Sequence, residues 1–139
     1  MDHGPRLTLD PVPGSYAICR LAPGDALPPW AANGAFFSVT RTPTELSVMC
    51  DVARIPAGVK ADGPWSALAV RGPLDLNLSG VLARLATPLA NAGISIFALS
   101  TYDTDYVLVR HHDMDRAVRV LRAAGHNISE DAEASRRPL

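Results

Sequence analysis

Phe97-Ala-Leu-Ser-Thr-Tyr-Asp-Thr-Asp-Tyr-Val-Leu-Val-Arg110 decides the fold, because it reads as two strands joined by a tight polar turn. Apolar residues run up to Ser100, and Tyr106 to Val109 is rich in strand formers. Small polar residues at Asp103 and Thr104 serve the turn itself. Ser100, Thr101, Tyr102 and Asp105 exceed what a turn needs. Two hydroxyls, a ring and a carboxylate beside a hydrophobic hairpin make a place for a polar ligand.

Around this hairpin the second half of the chain repeats one grammar. Trp65 to Arg71 reads as a strand, broken by Gly72-Pro73-Leu74-Asp75. Leu78, Val81, Leu82, Leu85 and Leu89 then mark one face of a helix. Asn77 is placed to cap its start and Gly93 its end, and Pro88 predicts a bend. After the hairpin, Asp113 is placed to cap a second helix. Ala117, Val118, Leu121 and Ala124 face inward, and Gly125 ends the helix. Arg116, Arg119 and Arg122 fall on its outer, solvated face. His126 to Glu130 supplies a last strand. Strand, helix, strand, strand, helix, strand is the split βαβ, ferredoxin-like order. It gives an antiparallel sheet with both helices on one face. The other face, with Trp65, Leu68 and Leu99 near it, needs a cover.

The first half is poorer in helix. Arg6 to Asp10 and Ser15 to Leu21 read as two strands separated by Pro11, Pro13 and Gly14. Pro23, Pro28 and Pro29 forbid a long helix and leave one turn near Leu27 to Ala32, anchored by Trp30. Phe36 to Thr42 and Glu45 to Cys50 alternate as a hairpin. Residues Pro56 to Pro64 read as a linker. Phe37 to Val48 echoes Phe97 to Leu108 at an offset of 60, which makes the first half a degenerate copy of the second. The expected organisation is therefore α+β, with two ferredoxin-like βαββαβ units. Residues 1–61 form the truncated unit, 62–130 the complete one, and 131–139 a polar tail.

Composition narrows the function. The 139 residues are 47% hydrophobic and 19% charged, with a net charge of -1 and no basic block. Non-specific nucleic-acid binding rests on clustered Lys and Arg and is not expected. No apolar run is long enough for a transmembrane helix, and Met1-Asp-His-Gly-Pro5 lacks a signal pattern. The cytoplasm is the expected location. Cys19 and Cys50 sit in apolar strands and read as buried thiols, not a disulfide or a metal pair.

Four stretches carry a family resemblance. Leu78-Ser-Gly-Val-Leu-Ala-Arg-Leu-Ala86, with Leu89-Ala-Asn-Ala-Gly-Ile-Ser-Ile96, resembles the ACT domain, a small ligand-sensing module of amino-acid metabolism. Ser79-Gly80 stands where that family commonly has Pro-Gly. Phe36 to Thr42 and Leu99 to Val109 are similar to tandem ACT proteins, which include small bacterial stand-alone members and the cytosolic arginine sensors of animals. The resemblance implies a free amino acid bound between ACT units, with no cofactor and no metal. It also implies a homodimer that regulates a partner protein on another chain. Carried onto this sequence, the site is Gly72, Pro73, Leu74 and Asp75 facing Ser100, Thr101, Tyr102 and Asp105. Helix-start amides near Leu78 and Ser79 suit a carboxylate, and the aspartates suit a cation.

Two other function classes compete with a non-enzymatic sensor. One is an ACT-like interaction domain that binds no ligand. The other is a small hydrolase, with Ser100 or Thr101 as nucleophile and His111, His112 or His126 as base. The His pair lies about five residues, or roughly 17 Å, beyond the turn, which argues against the hydrolase.

Overall fold

The computed structural model describes residues 6–74 and 79–130. The chain divides into two compact units, one spanning Gly14–Trp65 and the other combining residues up to Pro13 with those from Ser66 onward. The elements in order are β1 (Thr8–Leu21), β2 (Ser38–Arg41), β3 (Leu46–Asp51), β4 (Ala61–Val70), α1 (Val81–Asn91), β5 (Ile96–Ser100), β6 (Asp105–Arg110), α2 (Met114–Ala123) and β7 (Asn127–Ile128). β1 and β4 each contribute one part to each unit.

In the larger unit the strand order is β7, β1, β4, β6, β5. β4-α1-β5-β6-α2-β7 follows the ferredoxin-like order, and the front of β1 lies between β7 and β4. Thr8 and Leu9 pair in parallel with Asn127 and Ile128. This is why the first residues group with the second half of the chain. Leu7 and Leu9 sit in one core with Leu68, Val70, Val107 and Val109 from the sheet and Val81, Leu85, Leu89, Ala117 and Leu121 from the helices. Leu68 therefore faces the helices and not the uncovered side. Leu82 and Ala124 are exposed instead of inward, since the buried stripes reduce to Val81, Leu85 and Leu89 on α1 and Ala117 and Leu121 on α2.

Helix α1 starts at Val81, after Gly80 in the left-handed region at φ 81°. Asn77 and Leu78, the expected cap and first stripe residue, lie outside the described residues. Pro88 does not stop the helix, which runs on to Asn91. Proline has no amide for the Arg84 carbonyl. His126 stands in: its Nε2 lies 3.4 Å from that carbonyl, while its Nδ1 accepts from the Leu7 amide at 3.2 Å. An acceptor at Nδ1 places the proton of the neutral ring on Nε2, so the buried Leu7 amide and the part-buried Arg84 carbonyl are both served. His126 is only 8% exposed. Asp113 does not cap α2 with its side chain. It sits in a short 3-10 turn and pairs with Arg116 at 3.1 Å.

The Gly14–Trp65 unit has the strand order β2, β3, β1, β4. Its helix is reduced to a 3-10 turn at Pro29–Ala32, whose Ala31 is buried against Cys19, Leu46, Val48 and Cys50 while Trp30 is half-buried beside them. Both thiols are free and buried. Burial first, then Cys50, pushes the Cys19 thiol up to about 11. At neutral pH it is a small apolar side chain.

Of two expected breaks, one is absent and the other is shorter than expected. Pro11, Pro13 and Gly14 do not divide β1; they mark where it changes neighbours, from β7 in front to β3 behind. Gly14, at φ 106°, supplies the local turn of the backbone. The Pro56–Pro64 linker ends early, because β4 already begins at Ala61. Gly63 lets it approach β1: a Cβ there would stand 2.8 Å from the Ala17 Cβ and 2.9 Å from the Tyr16 carbonyl.

Candidate functional site

The site is built on the hairpin tip of the larger unit. β5 and β6 pair antiparallel and close with Ser100 opposite Asp105. The Thr101 amide donates to the Thr104 carbonyl at 2.8 Å, and the Thr104 amide donates to the Thr101 hydroxyl at 3.2 Å. Thr101 is thus consumed by the turn. Ser100 Oγ donates to Asp105 Oδ1 at 2.6 Å. That bond orients the carboxylate. Asp105 is half-buried, and Asp103 is exposed at the tip. Among the described residues no cation pairs with either carboxylate. Tyr102 stands 82% exposed.

The turn after β4 is fastened to this tip. The Leu74 amide donates to the Asp103 carbonyl at 2.7 Å, and Thr104 Oγ1 donates to the Val70 carbonyl at 2.6 Å. Gly72 is pressed against the tip: a Cβ there would lie 3.0 Å from the Asp103 carbonyl oxygen and 3.2 Å from the Thr104 Cβ. On the other side the Arg71 amide donates to the Thr8 carbonyl at 2.7 Å. The Arg71 guanidinium grips Asp10 with two bonds of 2.6 and 3.1 Å. It holds the Asp10 carboxyl below its usual range. This exposed pair adds little stability.

The structure therefore joins Val70, Gly72 and Leu74 to Asp103 and Thr104 of the tip; Ser100, Thr101, Tyr102 and Asp105 lie on the same hairpin, and no contact of theirs with the turn is part of this fastening. Asp75, the remaining expected site residue, lies outside the described residues. The described helix amides begin at Val81, later than the expected Leu78 and Ser79. Sequence reasoning gave Asp103 a turn role beside a candidate cation contact and passed over Thr104, because both are ordinary turn formers. Their bonds to Val70 and Leu74 span some 30 residues, and no local pattern announces such bonds.

Other chemistry finds less support in the geometry. Ser100 and Thr101 are bonded within the hairpin and not to an imidazole. His126 is held by the backbone, and His111 Nδ1 lies 2.7 Å from the hydroxyl of Ser66, which is buried. That pair ties β4 to the turn after β6. In the Gly14–Trp65 unit an apolar groove of about 390 Å³ is lined by Ala17, Val52, Ile55, Ala61, Gly63 and Pro64. It offers an amino-acid zwitterion no charged group. Among the described residues no helix is long and apolar enough to cross a membrane.

Comparison with known proteins agrees with this architecture. The ACT-domain family model matches residues 60–123, and a second model, described as an N-terminal domain, matches residues 14–58. The cytosolic arginine sensor for mTORC1 subunit 1 of Bos taurus is 34% identical over 97 residues, covering 62% of this chain and 30% of the sensor. The chain spans 29% to 56% of the length of the curated animal relatives it matches. A protein from Agobacterium tumefaciens, known from its crystal structure, superposes with a TM-score of 0.86 at 40% identity, covering 91% of this chain and 94% of that one. The regulatory subunit of aspartate kinase from Thermus flavus shares the fold, with a TM-score of 0.58 at 12% identity over 84% of this chain and 95% of its own. The order of elements, the hairpin motif and these matches agree: the chain belongs to the ACT-domain family.

Proposed function

We propose that this protein is a non-enzymatic regulatory module that binds a free amino acid between the Gly72-to-Asp75 turn and the Ser100-to-Asp105 hairpin. The observation that carries the reading is the fastening of the turn onto the tip, through Leu74 to Asp103 and Thr104 to Val70. It gathers close backbone, an oriented carboxylate and polar hydroxyls at one place. Gly72 lets the turn lie close against the tip, and Asp105 answers an ammonium or guanidinium. The carboxylates favour a basic amino acid, and the printed function of the arginine-sensor relatives makes arginine the first to try. The module acts in the cytoplasm as a homodimer and passes its state to a partner protein on another chain.

A thermal-shift screen of free amino acids tests the reading. A ligand at 100 times its Kd adds about 2.7 kcal/mol of stability. A reproducible rise in Tm with one amino acid supports it, and a flat response to all of them contradicts it. Light scattering at micromolar concentration is expected to give twice 14.8 kDa. A clean monomer with the fold intact rejects the homodimer. The exposed Tyr102 favours a second reading, a protein-docking tip without ligand. That reading gains if no amino acid shifts the transition.

A further inference from the structure

We infer that Thr104 is a positioning residue for the ligand: its hydroxyl latches the carbonyl of Val70 and holds the turn against the hairpin. The inference rests on the amino-acid-binding reading above and assigns the residue that keeps that site assembled.

A turn residue needs only local bonds, and Thr104 makes these with its backbone: the carbonyl accepts from the Thr101 amide at 2.8 Å and the Thr101 hydroxyl at 3.1 Å. Its hydroxyl does something separate. It reaches off the hairpin to the last residue of β4, 34 positions away in sequence, at 2.6 Å. Val70 is itself buried, at 1% exposure, so the accepting carbonyl belongs to a fixed strand end. Beyond it the chain turns through Gly72, with a would-be Cβ 3.2 Å from the Thr104 Cβ, and returns at Leu74 to the Asp103 carbonyl. Arg71, bonded to Thr8 and Asp10, holds the other side of the turn. The turn is thus pinned at its outer end and latched at its inner end. The latch needs a hydroxyl in particular. Asp103 and Leu74 meet through backbone atoms, so their bond survives many substitutions but depends on the register that Thr104 sets.

The test uses the full chain with Thr104→Val, which keeps the shape and removes the donor, and Thr104→Ser, which keeps the donor. L-arginine is the probe for calorimetry, and exchange of the Leu74 amide is followed by NMR without ligand. Thr104→Val is expected to weaken L-arginine binding about tenfold, the worth of roughly one hydrogen bond, and to speed Leu74 exchange by a similar factor. Thr104→Ser is expected to stay within about twofold of the wild type in both, because the hydroxyl that makes the latch is retained. A merely structural residue would lower the Tm yet leave affinity measured far below it unchanged. Wild-type heat with unaltered Thr104→Val affinity overturns this inference alone. No heat from the wild type with L-arginine or any other free amino acid overturns the binding reading, and this inference with it.

Discussion

Asp105→Asn is expected to weaken binding of a basic free amino acid by about 2–5 kcal/mol, the usual cost of removing one partner of a hydrogen-bonded charge pair from a partly buried site. Asparagine keeps the shape, and its Oδ1 still accepts from Ser100, so the hairpin closes as before. The Tm of the free protein should barely move, since an exposed or half-exposed carboxylate adds little to folding. Asp103→Asn is the internal control. Asp103 gives its backbone carbonyl to Leu74, and asparagine retains that and the turn geometry. Calorimetry of the three proteins with a basic and a neutral amino acid reads the effect. Equal affinity of wild type and Asp105→Asn for the basic ligand removes the carboxylate from the site.

His126→Ala is expected to destabilise the fold by about 2–5 kcal/mol. It leaves the Leu7 amide and the Arg84 carbonyl without their side-chain partner, each at about 1–3 kcal/mol, and opens a cavity. The cause is testable through Pro88. Pro88→Ala returns an amide to helix α1, one turn after Arg84, and supplies the donor that His126 otherwise provides. In the Pro88→Ala background the cost of His126→Ala should shrink by roughly 1 kcal/mol, a coupling that a double-mutant cycle isolates. Denaturant midpoints with an unchanged slope are the readout. A cost under about 1 kcal/mol, or no coupling to Pro88, would remove the histidine from this role.

The elements were legible in the sequence where a period and a boundary agreed. The hairpin around Ser100 to Asp105 and the stripe Val81, Leu85, Leu89 are of this kind, and the structure has both. Punctuation misled where its purpose was not to stop a strand. Pro11, Pro13 and Gly14 occur where β1 changes partners, which no local signal announces. Gly63 marks a close approach of two strands, not a linker. The internal echo was seen one residue out of place. Arg41 pairs with Leu46 where Ser100 pairs with Asp105, so the two hairpins correspond at an offset of 59. One residue matters, because strand side chains alternate. At 59 the buried Val48 and Cys50 fall on Val107 and Val109, whereas at 60 Val48 falls on Leu108, on the opposite face of its strand.

The candidate site was half legible. Residue types at Gly72 and Ser100 to Asp105 pointed to it, because glycine and clustered polar groups are visible one at a time. The fastening was not, because it consists of a hydroxyl and a carbonyl far apart in sequence, Thr104 and Val70, and of two backbone groups with no residue signature.

The central claim is that a free amino acid binds between this turn and this hairpin. Amide chemical shifts of the labelled protein, followed during titration with L-arginine and with a neutral amino acid, test it most directly. Binding there predicts saturable changes with one ligand, largest at residues 71–74 and 99–106. Unmoved amides in both segments at millimolar ligand, or saturable changes confined to the Gly14–Trp65 unit, would contradict it.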